Sequence, residues 1–217
     1  ARLHTPNLLP PLQVVIQTQL HHQPRAELEQ NLRAWVASTH FITLDVYALR
    51  AQLEHLPWIA RATVRKRWPN QVEVQVQEHV PYARWGEREL VTVAGLRFAP
   101  PPAQIPTQLP QLTGPDGYEQ RLIRQYQVLT QRFQGVALQL ASIHLDQRLA
   151  WRLTLDTGTE IWLGTHHVGP RLQRFLGYYA QPRFLGQVAQ MARVDLRYPN
   201  GFAIAWRDPK AEEATHG

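Results

Sequence analysis

From Trp58 to Gln77 apolar and polar residues alternate with a period of two, broken once by Trp68-Pro69-Asn70-Gln71. Trp58, Ala60, Ala62 and Val64 share one parity and Arg61, Thr63, Arg65 and Arg67 the other; after the break, Val72, Val74 and Val76 alternate with Glu73, Gln75 and Gln77. Alternation of this kind fits strands buried on one face, and the intervening residues fit a tight turn, so an antiparallel hairpin is expected. Its apolar face needs a cover. Residues 25–36 supply one, with Leu28, Leu32, Trp35 and Val36 on one helical stripe starting after Pro24. A second helix is expected after the capping residue Asp45, with Val46, Leu49, Leu53 and Leu56 on its stripe and Pro57 as its stop. Leu12–Gln17 reads as a further strand, so residues 12–80 form a β-α-α-β-β unit able to close its own core.

After Pro81 the pattern changes to short strand candidates at 82–86, 90–93 and 96–99, then five prolines within residues 100–112. Helices are expected at about 118–134 and 168–180, with strands at 136–145, 150–156 and 160–163 between them. The last pattern is a hairpin, 193–198 and 202–206, turning at Pro199-Asn200-Gly201. The expected fold class is therefore α+β, the second unit (81–207) being mainly antiparallel sheet with inserted helices. Residues 1–11 read as a lead-in and 208–217 as a flexible tail.

Enzyme chemistry finds little support. The 217 residues contain no cysteine, which removes disulfides, thiolate metal sites and cysteine nucleophiles. There is no phosphate-binding glycine motif, and neither serine, Ser38 or Ser142, sits in a G-x-S-x-G turn. The adjacent pairs His21-His22 and His166-His167 lack the i, i+2 or i, i+4 spacing that converges on a metal. No cofactor or metal is expected. The net charge of +6 invites an anionic partner, and Arg61, Arg65 and Arg67 are the candidate surface on the first unit. Aromatic side chains for base stacking fall on the opposite parity there, so nucleic acid is not expected. No run of about 18 apolar residues is present to span a bilayer.

The final strand carries a different signal. Residues 202–206 lack the lysine or proline that usually guards a sheet edge. Phe202, Ile204 and Trp206 alternate with Ala203 and Ala205. A partner adding a strand there is one reading, an ordinary interior strand the other. Proline at Ala203 or Ala205 is expected to tell them apart: one residue would direct its N–H outward, and the other toward the host strand.

Three stretches, PWIARATVRKRWPNQVEVQVQEHVPYARW (57–85), LVTVAGLRF (90–98) and VDLRYPNGFAIAW (194–206), resemble the extracytoplasmic part of the bacterial cell-division family FtsQ, called DivIB in Gram-positive bacteria. The resemblance implies a POTRA domain at 12–80 followed by the family's β domain, with the proline run as a loop inside the latter. It implies a non-enzymatic divisome scaffold that binds the FtsB–FtsL pair by strand addition at the last β strand, and other division proteins through POTRA. It also implies a single-pass inner-membrane protein, anchored by a helix preceding Ala1, with its bulk in the periplasm at the septum. By position, Arg197 and Tyr198 fall on the family's partner-binding pair, Gly201 on its turn glycine and Trp206 on its terminal tryptophan; Phe202, Ala203 and Ile204 complete the expected contact strand. Pro199 and Phe202 stand where the enterobacterial pattern has an acidic residue and an alanine. The alternative is a POTRA-type outer-membrane assembly or secretion component, which would carry tandem POTRA repeats or a barrel.

Overall fold

A computed structural model describes residues 11–37, 39–182, 184 and 186–208; the lead-in and the tail expected from sequence lie almost wholly outside them. The chain divides into two compact units, Ala1–Val80 with Phe98–Gln104, and Pro81–Arg97 with Ile105–Gly217.

The first unit runs β1 (Gln13–Ile16), α1 (Arg25–Val36), α2 (Val46–Glu54), β2 (Ile59–Arg67) and β3 (Gln71–Glu78). Its sheet has the order β1-β3-β2, β1 parallel to β3 and β2 antiparallel to it. Leu28, Leu32 and Val36 are buried along α1, and Leu49 and Leu53 along α2, against Ala62, Val72, Val74 and Val76. Fully burying each leucine or valine contributes about 1.5–3 kcal/mol before ordering costs. Asp45 caps α2 as its position suggests, its carboxylate accepting from the N–H groups of Tyr47 and Ala48 at 2.9 and 3.1 Å.

Strict alternation fails at the start of β2. A register shift between Ile59 and Arg61 buries the consecutive Trp58 and Ile59 and leaves Ala60 exposed, correcting the parity read from sequence. Trp58 packs outside the main core, stacked on His22 at 4.4 Å and edge-on to Phe98, with Nε1 donating to Gln104 at 2.7 Å. The proline run is accordingly divided: its residues through Gln104 group with this unit. Trp68, expected on the buried parity, is 84% exposed at the hairpin tip. Val64 is half-buried, whereas Val74 opposite it is fully buried.

Glu78, at the end of β3, ties down the loop before α1. Its carboxylate accepts backbone N–H groups from His21, His22 and Gln23 at 2.8, 3.0 and 2.6 Å. Burial pushes this carboxyl up, and the three N–H donors more than offset it, so its pKa lies below the ordinary value. A carboxyl lowered in the folded state stabilises above its unfolded pKa of about 4.3, and that contribution is lost as pH falls through the folded pKa. Glu78→Gln should therefore cost about 1–2 kcal/mol at pH 7, after discounting for partial exposure. Thermal melts of the two proteins at decreasing pH should converge below about pH 4.

The second sheet and its helices are β4 (Ala83–Trp85), β5 (Glu89–Val91), β6 (Arg97–Phe98, of which Phe98 groups with the first unit), β7 (Gln111–Thr113), α3 (Glu119–Gln134), β8 (Leu140–Leu145), β9 (Trp151–Leu155), β10 (Glu160–Gly164), α4 (Val168–Tyr179), β11 (Met191–Asp195) and β12 (Ala203–Trp206). The sheet order is β12-β11-β10-β9-β8-β7-β4-β5-β6. Pairs β4–β5, β8–β9, β9–β10 and β11–β12 are antiparallel, while β4–β7, β7–β8 and β10–β11 are parallel. The parallel pairs have a simple cause: parallel neighbours need a long crossover, and α3 and α4 supply it for β7–β8 and β10–β11. Strand β7 was not expected, since it emerges directly from the proline run. Leu122, Ile123, Leu129 and Phe133 of α3, with Leu172, Phe175, Leu176 and Tyr179 of α4, cover one face. The buried Thr159 joins the segment before β11 to β10, its hydroxyl lying 2.8 Å from the carbonyls of both Val188 and Met191.

Candidate functional site: the open edge at the last strand

Strand β12 is the terminal strand of the sheet, and among the described residues no strand lies beyond it. Its register against β11 pairs Asp195 with Ala203, Val194 with Ile204, Arg193 with Ala205 and Met191 with Trp206, with a bulge in β11 between Met191 and Arg193. The directions of its backbone groups follow from two hydrogen bonds. Leu196 N–H donates to Trp162 O at 2.8 Å, so Asp195, one residue earlier, turns its N–H and C=O toward β12. Arg207 N–H donates inward to Gln190 O at 2.8 Å. Alternation then places the N–H and C=O of Ala203 and Ala205 on the host strand and those of Ile204 and Trp206 on the open edge. The expectation that Ala203 and Ala205 divide between the two directions is corrected: residues two apart on a strand face the same way. Ile204 carries the informative N–H.

The turn leading into the edge is pinned from α4. Arg171 donates to Leu163 O at 2.7 Å and to Arg197 O at 3.0 Å, while Arg174 donates to Pro199 O and Gly201 O at 3.0 and 3.2 Å. Phe202 sits edge-on to Phe175 and Tyr178 at 6.0 and 4.9 Å, and Ile204 packs on the core. Tyr198 and Trp206 remain about half exposed, at 54% and 51%. A shallow recess of about 400 Å³ is lined by Tyr198, Pro199, Asn200, Gly201, Phe202 and Ala203, mostly with apolar surface. Gly201 has no left-handed φ, and a Cβ there would meet nothing within 4 Å, so the chain's own conformation does not demand glycine. Arg197 is engaged by Asp195, at 2.9 Å from Nε and 2.6 Å from Nη2, and this pairing holds the Asp195 carboxyl below its usual range.

The structure thus brings Arg197, Tyr198, Gly201, Phe202, Ala203, Ile204 and Trp206 to one edge and its approach. Sequence reading missed Arg171 and Arg174, which carry only the weak signal of two arginines three residues apart on one helix face. On the first unit, Arg61 and Arg65 are exposed, and Arg67 pairs with Glu73 at 2.8 Å. No three His, Asp or Glu side chains converge on a metal-sized site, and no helix is long and apolar enough to cross a membrane, among the described residues.

Comparison with known proteins covers both units. Residues 9–79 match the POTRA domain, FtsQ-type, and residues 83–197 match the cell division protein FtsQ/DivIB C-terminal region. The chain is 35% identical over 207 residues to the cell division protein FtsQ of Coxiella burnetii, covering 95% of this chain and 84% of that protein. It is 36% identical to FtsQ of Allochromatium vinosum, covering 93% and 79% of the two chains. It is 32% identical to FtsQ of Escherichia coli, covering 95% and 76%.

Proposed function

The chain belongs to the FtsQ/DivIB family of cell-division proteins, and on that premise we propose that it is a non-enzymatic divisome scaffold whose β12 edge accepts a strand from the FtsB–FtsL pair. The observation that carries this reading is the outward N–H and C=O of Ile204 and Trp206 on a sheet edge with no strand beyond it among the described residues. Each main-chain hydrogen bond to an added strand contributes roughly 0.5–1.5 kcal/mol net, so four or five supply several kcal/mol before ordering costs. Tyr198 and the recess beside it offer apolar area for a side chain of the partner. The open space at Gly201 leaves the partner's backbone room to approach. Pro199 removes one N–H from the turn, and Phe202 spends its ring on Phe175 and Tyr178, so contacts at those two positions come from backbone carbonyls and packing.

The POTRA unit carries contacts to other membrane-associated division proteins, with Arg61 and Arg65 as exposed cations that have no ion-pair partner among the described residues. A helix preceding Ala1 anchors the protein in the inner membrane, with both units in the periplasm at the septum. Against the alternative, an outer-membrane assembly or secretion component, stands the match of residues 83–197 to the cell division protein FtsQ/DivIB C-terminal region.

Two results test the division of labour. Replacing Arg61, Arg65 and Arg67 together with glutamine should leave FtsB–FtsL binding within about twofold, because these side chains stand on the other unit. Tyr198→Ala should weaken it about tenfold, the loss of a well-placed aromatic at an interface being worth roughly 1–2 kcal/mol or more. Calorimetric titration of the two variants with the FtsB–FtsL periplasmic pair reads both. Equal losses in both would remove the β12 edge from the account.

A further inference from the structure

We propose that the end of the first unit carrying the β2–β3 turn docks on a bilayer surface. It seats Trp68, Ile42 and Tyr47 in the headgroup layer and sets Lys66 and Arg67 against the phosphates of anionic phospholipids. The proposal rests on the reading above that a helix preceding Ala1 anchors the protein. Trp68 and Tyr47 are the most exposed large apolar side chains among the described residues, at 84% and 79%, and Ile42 is 72% exposed. Single exposed apolar residues are ordinary on a soluble surface; three at one end of a small unit, beside cations, mark an interaction site.

Hydrogen bonds bring the three together. Lys66 Nζ donates to Ile42 O at 3.0 Å, which ties the loop before α2 to the strand leading into the turn. Ala62 N–H donates to the Glu54 carboxylate at 3.0 Å, so α2 ends beside the start of β2. It therefore begins, with Tyr47 in its first turn, beside the end of β2. The chain also enters the unit here: Asn70 Nδ2 donates to Pro11 O at 2.7 Å, and Gln13 N–H donates to Asn70 O at 2.9 Å. The end that shows the exposed rings is thus the end to which a helix ahead of Ala1 is attached.

Ring chemistry and charge together select the occupant. An indole or a phenol suits the headgroup layer, where its apolar body is sheltered and its polar tip stays wet. Lys66 lies over the Phe41 ring at 5.7 Å and is exposed, and Arg67 remains 67% exposed while paired with Glu73 at 2.8 Å. The neighbouring acids are engaged: Glu73 by Arg67, and Asp45 by the N–H groups of Tyr47 and Ala48. A second copy would bring the same cations and a net charge of +6 against this end. A bilayer containing phosphatidylglycerol accepts both the rings and the cations.

The test floats the whole chain with vesicles of phosphatidylcholine mixed with phosphatidylglycerol, and with vesicles of phosphatidylcholine alone. The mixed vesicles should carry the protein at least fivefold more strongly, and added salt should reduce that advantage. Trp68→Ser with Ile42→Ser should weaken partition at least fivefold, and Lys66→Gln with Arg67→Gln at least threefold, both at an unchanged melting temperature. Trp68→Phe should stay within threefold of the parent. Phospholipids with brominated acyl chains should quench the tryptophan emission of the parent, and that quenching should be lost in Trp68→Phe. Arg124→Gln with Arg132→Gln, exposed on α3 of the second unit, should bind within twofold of the parent. The proposal is overturned if the Trp68 and Ile42 double variant partitions within twofold of the parent, or if the α3 variant loses as much, which would indicate general charge attraction. A dimer abolished by Trp68→Ser, with no vesicle binding by the parent, would give this end to a second copy and overturn it too. The assay needs no anchor, so a negative result strikes the docking and leaves the anchor reading standing.

Discussion

Ile204→Pro should weaken binding of the FtsB–FtsL pair at least tenfold while the second unit stays folded. The Ile204 N–H points away from β11, so proline there removes a donor from the open edge and leaves the host ladder whole. Tenfold corresponds to about 1.4 kcal/mol, less than the loss of one main-chain bond plus the steric block to its neighbours on the added strand. Ile204 also packs on the core, so part of any drop in melting temperature comes from the lost side chain. Ile204→Ala, which keeps the N–H, sets that baseline and should bind within a fewfold of the parent. Ala205→Pro is the contrasting variant. Its N–H bonds the host strand, so proline there should break the β11–β12 ladder and lower the melting temperature by several degrees, an effect of about 1–3 kcal/mol. Normal binding by a folded Ile204→Pro protein would move the binding site off β12.

The second large effect lies in the first unit. Val74 is fully buried at the centre of β3, opposite Val64, in an apolar cluster that it shares with Leu28, Leu32, Leu49 and Leu53 of the two helices. Val74→Asp should cost about 4 kcal/mol or more, enough to unfold a small domain of ordinary stability. Val64→Asp, at the half-buried position across the ladder, should cost clearly less, because its carboxylate can reach water. Hydrogen exchange resolved by segment reads the result. Protection should vanish across β1, β2 and β3 in Val74→Asp and persist across α3 and α4. Retained protection in β3 would show that the β-strand parity assigned to Val74 is wrong.

The first unit was legible because every one of its elements carries a complete local signal. Asp45 caps, Pro57 stops, Leu28 and Leu32 repeat at helical spacing, and the valines of β3 repeat at strand spacing. What escaped was set by tertiary context. The bulge after Ile59 inserts a residue that the apolar alternation does not mark, so Ala60 turned outward. Strand β7 follows directly on Pro110 and is three residues long, too short for a period to declare itself. Its place between β4 and β8 depends on pairing that only the assembled sheet decides.

The same distinction runs through the candidate sites. That residues 202–206 form an unguarded strand was readable from their composition, because lysine and proline are missing there. Which backbone groups of that strand face outward was not, since this depends on how β11 pairs with β10 on its far side.

Residue-resolved amide exchange of β12 in the presence of the FtsB–FtsL periplasmic pair tests strand addition most directly. In the free protein, Ala203 and Ala205 should already be protected by the host ladder while Ile204 and Trp206 exchange freely. At saturation the exchange of Ile204 and Trp206 should slow at least tenfold, the two alanines changing little, because an added strand closes only the outward groups. Unchanged exchange at Ile204 and Trp206 in a saturated complex would contradict strand addition at this edge.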